Sequence, residues 1–427
     1  MGRLLSISKL NKIILVCLAA LLSYVSLNAQ KKVYWIHGYN DNHEVWQRYR
    51  SILTDSSHRG AEIDWYASDS LTVSAQDVAS TISSPAILIG HSAGGLVARK
   101  AVEYNSRIRA IITAGSPNKG AGIVSSVKNK SYRNIIGEAS LKIQSCVSSS
   151  LAALASIIFP ATSISSVIEP LRILVLSMID IGVNCWISQK LNDIEDDYTS
   201  DPSFQDMDPK GPFITGLNDN PNTVPIVSIY GAEDKWPLIR MWGSGENLDS
   251  LQSMTNTADN GYDTSKMGVW NGCISTCKYM EWGHGILGVG LAALSFWYPR
   301  FLSPAAYNAT TALSWSNLAR YLEYDIHNEY SEIIGAMHYE TKTYTTGILW
   351  WKKKHTKTVP VYESHDGLIA NKHSMMDFSG GAYVKNVEVK GVNHLEMGAN
   401  ATVRSLLNTI LSGNNNEYPK TFSPKYY

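Results

Sequence analysis

One short run constrains this chain more than any other: Ile87-Leu88-Ile89-Gly90-His91-Ser92-Ala93-Gly94-Gly95-Leu96-Val97-Ala98. Ala86 to Ile89 is an uninterrupted apolar segment of strand length, as expected of a strand buried on both faces. Ala93 to Tyr104 reads as a helix. Between them, Gly90-His91-Ser92-Ala93-Gly94 is a G-x-S-x-G pentapeptide. A chain that turns this sharply from strand to helix has no room for side chains two places before or after the serine. The turn lifts a hydroxyl out of a sheet, in front of the positive end of a helix.

The flanking sequence supplies the sheet. Strand-like and helical patterns alternate from about Lys31 to Ala121, the signature of a parallel sheet with crossover helices. Strands are expected at Val33 to Ile36, Glu62 to Tyr66, Ala86 to Ile89 and Ile108 to Thr113. Helices are expected at His43 to Leu53, Ser74 to Ile82 and Ala93 to Tyr104. The sheet resumes at Val224 to Tyr230 and again near Val384 to Val389, with a last helix over Ala401 to Leu411. Two excursions, about 122–223 and 231–357, read as mostly helical cap insertions into one domain spanning 31–427. Leu151 to Ile187 is strongly apolar. Pro160 and Pro170 interrupt any continuous span there, which favours a cap over a pair of membrane helices. Asn414 to Tyr427 reads as an extended tail.

Residues 1–30 have the form of a Sec-type signal peptide. Arg3, Lys9 and Lys12 form a basic region, Ile13 to Leu22 an apolar core, and Ala29 and Gln30 mark the expected cleavage point. An uncleaved anchor is the alternative. Its removal implies a secreted or periplasmic protein, in a compartment where disulfides persist. Cys146, Cys185, Cys273 and Cys277 would remain, with Cys273–Cys277 and Cys146–Cys185 the pairings favoured by proximity. No His or Cys spacing suggests zinc. Lys plus Arg and Asp plus Glu stand at 37 each, so no overall field attracts nucleic acid. Twelve Trp and 23 Tyr against seven Phe suit half-wet surfaces facing lipid or carbohydrate.

A serine is a weak nucleophile until a base and a carboxylate activate it. Gly391-Val392-Asn393-His394-Leu395 follows a late strand, and His394 is the expected base. His91 adjoins Ser92 too closely to serve, and His365 and His373 are less favoured. For the acid, Asp366 in His365-Asp366-Gly367 competes with Asp234 in Gly231-Ala232-Glu233-Asp234, and Asp366 is preferred. The oxyanion hole needs two N–H donors. Ala93, directly after the serine, supplies one. Ile36-His37-Gly38-Tyr39, at the end of the first strand, offers the N–H of Tyr39 as the other.

Val33 to Tyr49, Ile87 to Arg99, Ile111 to Gly122, Asp366 to Ser374 and Gly391 to Met397 together resemble the bacterial lipases and the related PGAP1-like lipid deacylases of the α/β-hydrolase superfamily. The shared motifs are His37-Gly38-Tyr39, Gly90 to Gly95, Gly115-Ser116-Pro117, Asp366-Gly367 and Gly391 to His394. The resemblance covers about half the chain. It implies an α/β-hydrolase fold, the catalytic set Ser92, Asp366 and His394, and hydrolysis of a small-molecule or lipid ester without a cofactor. Some such lipases hold calcium near the catalytic histidine, but no ligands are assignable here. Peripheral contact with lipid through the apolar cap is a further expectation. An amidase or thioesterase would use the same residues, as would a serine peptidase, and the fold also serves as a non-catalytic binding module.

Overall fold

The computed structural model describes residues 31–133 apart from 40, 47–48 and 54–57, then 200–233 apart from 221–222, and 302–377 apart from 348–350. It also describes 382–425 apart from 399 and 414–415, and scattered positions at 137, 141, 195–196 and 275–292. The signal-peptide segment, the apolar run 151–187, Asp234, Cys146, Cys185 and Cys273 lie outside the described residues. Both expected disulfides therefore involve residues outside them, and Cys277 is buried.

Six parallel strands form the central sheet in the order β2-β1-β3-β4-β5-β8. They are β1 (Lys32–Ile36), β2 (Arg59–Ile63), β3 (Ala86–His91), β4 (Ile108–Ala114), β5 (Ile226–Ala232) and β8 (Val384–Lys390). β3 and β5 are buried along their whole length. That is why both read as apolar runs rather than as alternating patterns. Odd and even residues feed separate cores. Tyr34, Ile36 and Leu88 pack with Val78, Leu96 and Val97 of helices α1 (Leu71–Thr81) and α2 (Ala93–Ala101). Val33, Trp35, Ile87 and Ile89 pack on the other side with Val403 and Leu407 of helix α9 (Ala401–Ser412).

The chain runs from β1 outward to β2, then returns to β3 on the other side of β1 and continues to β8. Strand order reverses between β1 and β3, and the loops leaving their carboxyl ends diverge. In an open parallel sheet this divergence creates the crevice in which ligands bind. His37 and Ser92 leave the sheet at that point.

Several expectations are corrected. The second strand lies at Arg59–Ile63 rather than Glu62 to Tyr66. Trp65 has turned aside, its backbone N–H donating to His37 Nε2 at 3.1 Å and its indole to His37 O at 2.9 Å. The helix expected over His43 to Leu53 is replaced by two short 3-10 turns, His43–Trp46 and Arg50–Ile52. Buried aromatic anchors shape this segment, with Trp46 donating to Ile36 O and Tyr49 to Met397 O. The tail is not free: Phe422 is fully buried, and Lys31 Nζ donates to Thr421 O at 2.8 Å.

The described parts of the excursions include helices α3 (Gly122–Lys128), α4 (Pro202–Asp206), α5 (Pro212–Asp219), α6 (Leu302–Arg320) and α7 (Ile326–Ile333). The second also builds an antiparallel ribbon, β6 (Met337–Thr346) with β7 (Lys353–Tyr362), most of which hydropathy does not reveal. Both faces of the ribbon are largely in solvent, so it carries no apolar alternation. A short helix α8 (Asn371–Ser374) follows before β8. Among the described residues, no helix is long and apolar enough to cross a membrane.

Candidate active site

Ser92 sits between β3 and α2 with φ 51° and ψ −128°, one of two non-glycine residues at positive φ among the described residues. Such backbone costs about 1–3 kcal/mol and persists only where the surroundings enforce it. Here Ser92 N donates to Ala114 O at 2.9 Å, and Gly95 N donates back to Ser92 O at 3.0 Å. A side chain on Gly90 would run into the backbone of Gly94 and Gly95, so the first glycine of the pentapeptide is a steric requirement.

The structure brings Ser92, His394 and Asp366 into one hydrogen-bonded line. His394 Nε2 lies 2.9 Å from Ser92 Oγ, and His394 Nδ1 lies 2.8 Å from Asp366 Oδ2. Asp366 is wholly buried, and its Oδ1 accepts from the N–H groups of Leu368 (3.0 Å) and Ile369 (2.7 Å). These bonds fix its second oxygen toward the imidazole. With a carboxylate on Nδ1, the proton sits there and Nε2 is left as an acceptor facing the serine.

Two loops hold this line rigid. The backbone N–H of His394 donates to Asp366 O at 2.7 Å, tying the base and acid loops together directly. In the base loop, Asn393 N donates to Glu396 Oε2 (3.1 Å) and Glu396 N to Asn393 Oδ1 (3.0 Å). A 3-10 turn, Leu395–Gly398, follows His394 and leads to α9. On the acid loop, Tyr330 donates to Gly367 O at 2.6 Å, and burial pushes its phenol well above the ordinary value. The acid loop is anchored at the carboxyl end of β5, where Glu233 N donates to His365 O at 2.7 Å. Asp366 thus lies beside a strand that ends 134 residues earlier in the chain.

The loop after β1 closes over the other side. A Cβ on Gly38 would lie 3.0 Å from Ser92 Cβ, so this backbone is already in contact with the serine. His37 Nε2 accepts from Trp65 N, which leaves Nδ1 protonated and donating to Gly38 O at 2.8 Å. In a trans peptide the carbonyl and the next N–H point opposite ways. Holding the Gly38 carbonyl therefore sets the direction of the Tyr39 N–H. The Tyr39 side chain is tethered elsewhere, donating to Asp201 Oδ2 at 2.5 Å and packing on Phe204. Ala93, wholly buried, opens α2 directly after the serine.

Three features of the site escape a reading by motif. His91 is excluded as a base by its adjacency, yet its ring is packed 5.1 Å from that of His394. His37 acts on its own loop through a side chain that the His-Gly signature does not explain. Asp41 is half-buried, its pKa raised by burial against the opposing pull of the Asn42 N–H, His37 and His394. Burial lowers the pKa of both His365 and His373, and neither is bonded to Ser92 among the described contacts. Among the described residues no group of three or more His, Cys, Asp or Glu is placed to hold a metal ion.

The model of the PGAP1-like alpha/beta domain family matches residues 61–165, a segment running from β2 through the elbow to α3 and beyond. Among solved structures, the Bacillus licheniformis lipase BlEst2 in mature form is similar at 10% identity, with 87% of each chain covered and a TM-score of 0.35. No curated protein matches the chain in sequence. The sheet order, the strained strand-to-helix elbow and the matched segment agree, and the chain is a protein of α/β-hydrolase fold with a PGAP1-like segment over residues 61–165.

Proposed function

We propose that this chain is a secreted or periplasmic serine hydrolase that cleaves carboxylic esters, lipid acyl esters foremost, through an acyl-serine intermediate. The observation that carries the reading is the unbroken line from Ser92 Oγ through His394 to the buried Asp366 carboxylate. His394 Nε2 takes the hydroxyl proton as Ser92 Oγ attacks the ester carbonyl carbon. The carbonyl electrons move onto oxygen, which the N–H groups of Tyr39 and Ala93 receive. Collapse breaks the bond to the alcohol, which leaves with the proton from His394. Water then repeats the sequence on the acyl-serine, releasing the carboxylic acid and restoring the enzyme. Asp366 stays ionised throughout and stabilises the imidazolium.

Acyl chains are favoured as part of the substrate by apolar surface in the second excursion. Tyr279, Trp282, Ile286 and Val289 recur at helical spacing, and all four are exposed. Such a stripe suits contact with hydrocarbon. Export is favoured by the form of residues 1–30.

The test is hydrolysis of p-nitrophenyl esters from acetate to palmitate by the purified protein and by Ser92→Ala. Turnover that rises with acyl length and vanishes in the variant supports a lipid esterase. Turnover that survives Ser92→Ala removes Ser92 as nucleophile. Cleavage of anilides or thioesters alone would move the chain to an amidase or thioesterase.

A further inference from the structure

We propose that the β6–β7 ribbon is a docking element for an anionic lipid surface. The two strands pair over ten residue pairs, from Met337 with Tyr362 to Thr346 with Lys353. At about 3.4 Å per residue the ribbon reaches roughly 30 Å. Partial burial is confined to its root and to His355, and the distal half of β6 is exposed residue after residue.

Its charge is unlike that of the whole chain, which balances to zero. From Met337 to Tyr362 there are five lysines, Lys342, Lys352, Lys353, Lys354 and Lys357, against the single carboxylate of Glu340. Glu340 is near the root and lies 3.4 Å from His338. No described carboxylate pairs with any of the five lysines. Lys342 stands directly across from Lys357, a like-charge pair that destabilises an isolated ribbon. Strand alternation places Lys353 on the same face, with Tyr344 stacked on His355 between them. Glu340, opposite Val359 on the same face, offsets part of this repulsion from the root side, and an anionic surface would relieve the remainder.

The aromatic side chains select lipid from among polyanions. Trp351 is 76% exposed and Tyr344 49% exposed, both beside lysines. Trp and Tyr at such positions partition into the headgroup layer, with the ammonium groups on the phosphates. A second copy of the chain is disfavoured, because lysines along a strand edge block edge-to-edge pairing. The ribbon is also rooted beside the acid loop: Glu363 N donates to Ala336 O at 2.8 Å, three residues before Asp366. Docking here tethers the active site to the surface.

The test is co-sedimentation of the purified protein with vesicles of phosphatidylcholine alone and of phosphatidylcholine mixed with phosphatidylglycerol. The Ser92→Ala protein is run alongside, so the readout is independent of the proposed catalysis. Both proteins should sediment with the phosphatidylglycerol vesicles, not with the neutral ones, and be released by salt. Replacing three lysines together, Lys353→Ser, Lys354→Ser and Lys357→Ser, should weaken partition by about a hundredfold. Trp351→Ser should weaken vesicle binding yet leave retention on heparin unchanged. Equal binding to neutral vesicles, or undiminished binding by the lysine variant, overturns the proposal. Heparin retention without vesicle binding would assign the ribbon to a soluble polyanion instead.

Discussion

The Nε2 of His91 lies 3.0 Å from the carbonyl oxygen of His394, so the residue preceding Ser92 holds the backbone of His394. A carbonyl only accepts, which places the His91 proton on Nε2. Among the described residues its Nδ1 has no partner, and the ring is 3% exposed. His91 is therefore a positioning residue for the His394 loop. Replacing it by Phe should lower kcat by about ten- to a hundredfold with little change in KM, because the base is displaced while the pocket remains. His91→Gln, which restores a donor, should recover part of the loss. Steady-state kinetics on p-nitrophenyl butyrate distinguish the cases.

The same ring makes stability depend on pH. Burial, reinforced by the nearby His394, lowers the His91 pKa from 6.5 to about 3. Burial, reinforced by Lys372, lowers that of His373 to about 4. In both cases the unfolded chain binds the proton first. The stabilisation is complete above pH 6.5 and is lost as pH falls below it. Each residue contributes a slope of about 1.4 kcal/mol per pH unit in that window. The melting temperature should fall between about pH 6.5 and 5, before most carboxylates titrate. The fall should be shallower in His91→Phe.

Asp366→Asn should retain the loop and lose the chemistry. An amide in place of Oδ2 presents a donor to Nδ1 and reverses the tautomer, leaving Nε2 protonated against Ser92 Oγ. A loss of about 10⁴ in kcat is expected, as for the equivalent change in a serine protease. Asp234→Asn should cost far less. Kinetics of the two variants side by side decide between the acids, and the opposite order would reassign the role.

Phe422 is predicted to be a structural anchor despite its place in a polar tail. It is fully buried, packed against Tyr383 and the core shared with α9. Phe422→Ala should destabilise the fold by about 3–5 kcal/mol, read as a lower denaturant midpoint with unchanged activity at low temperature.

Local sequence determines the elements whose physics is local. The elbow is legible because a buried strand, a positive-φ serine and a helix start demand small residues at fixed offsets, here Gly90 and Gly94. The interior strands β3, β4 and β5 are legible because burial on both faces leaves an apolar run. His394 is legible from a strand-then-loop setting. Edge strand β2 and the His43–Ile52 segment are not, since Trp65, Trp46 and Tyr49 follow distant hydrogen bonds rather than local periodicity. Of the β6–β7 ribbon only Val359 to Tyr362, ahead of Asp366, reads as a strand, because a strand pair with two wet faces has little hydropathy signal.

Tertiary structure alone decides what converges. Asp366 and Asp234 are equivalent as loop carboxylates in sequence; contact with His394 belongs to the acid loop, which the fold returns to the end of β5. The bond from His91 to the His394 carbonyl joins residues 303 apart. Phe422 is buried because Lys31, just before β1, ties down Thr421 and Pro424 on either side of it and seats it in the core shared with α9. Backbone preference and hydrophobic period act over a few residues, whereas a hydrogen bond or a packing contact needs only proximity in space, and the closed fold alone sets that.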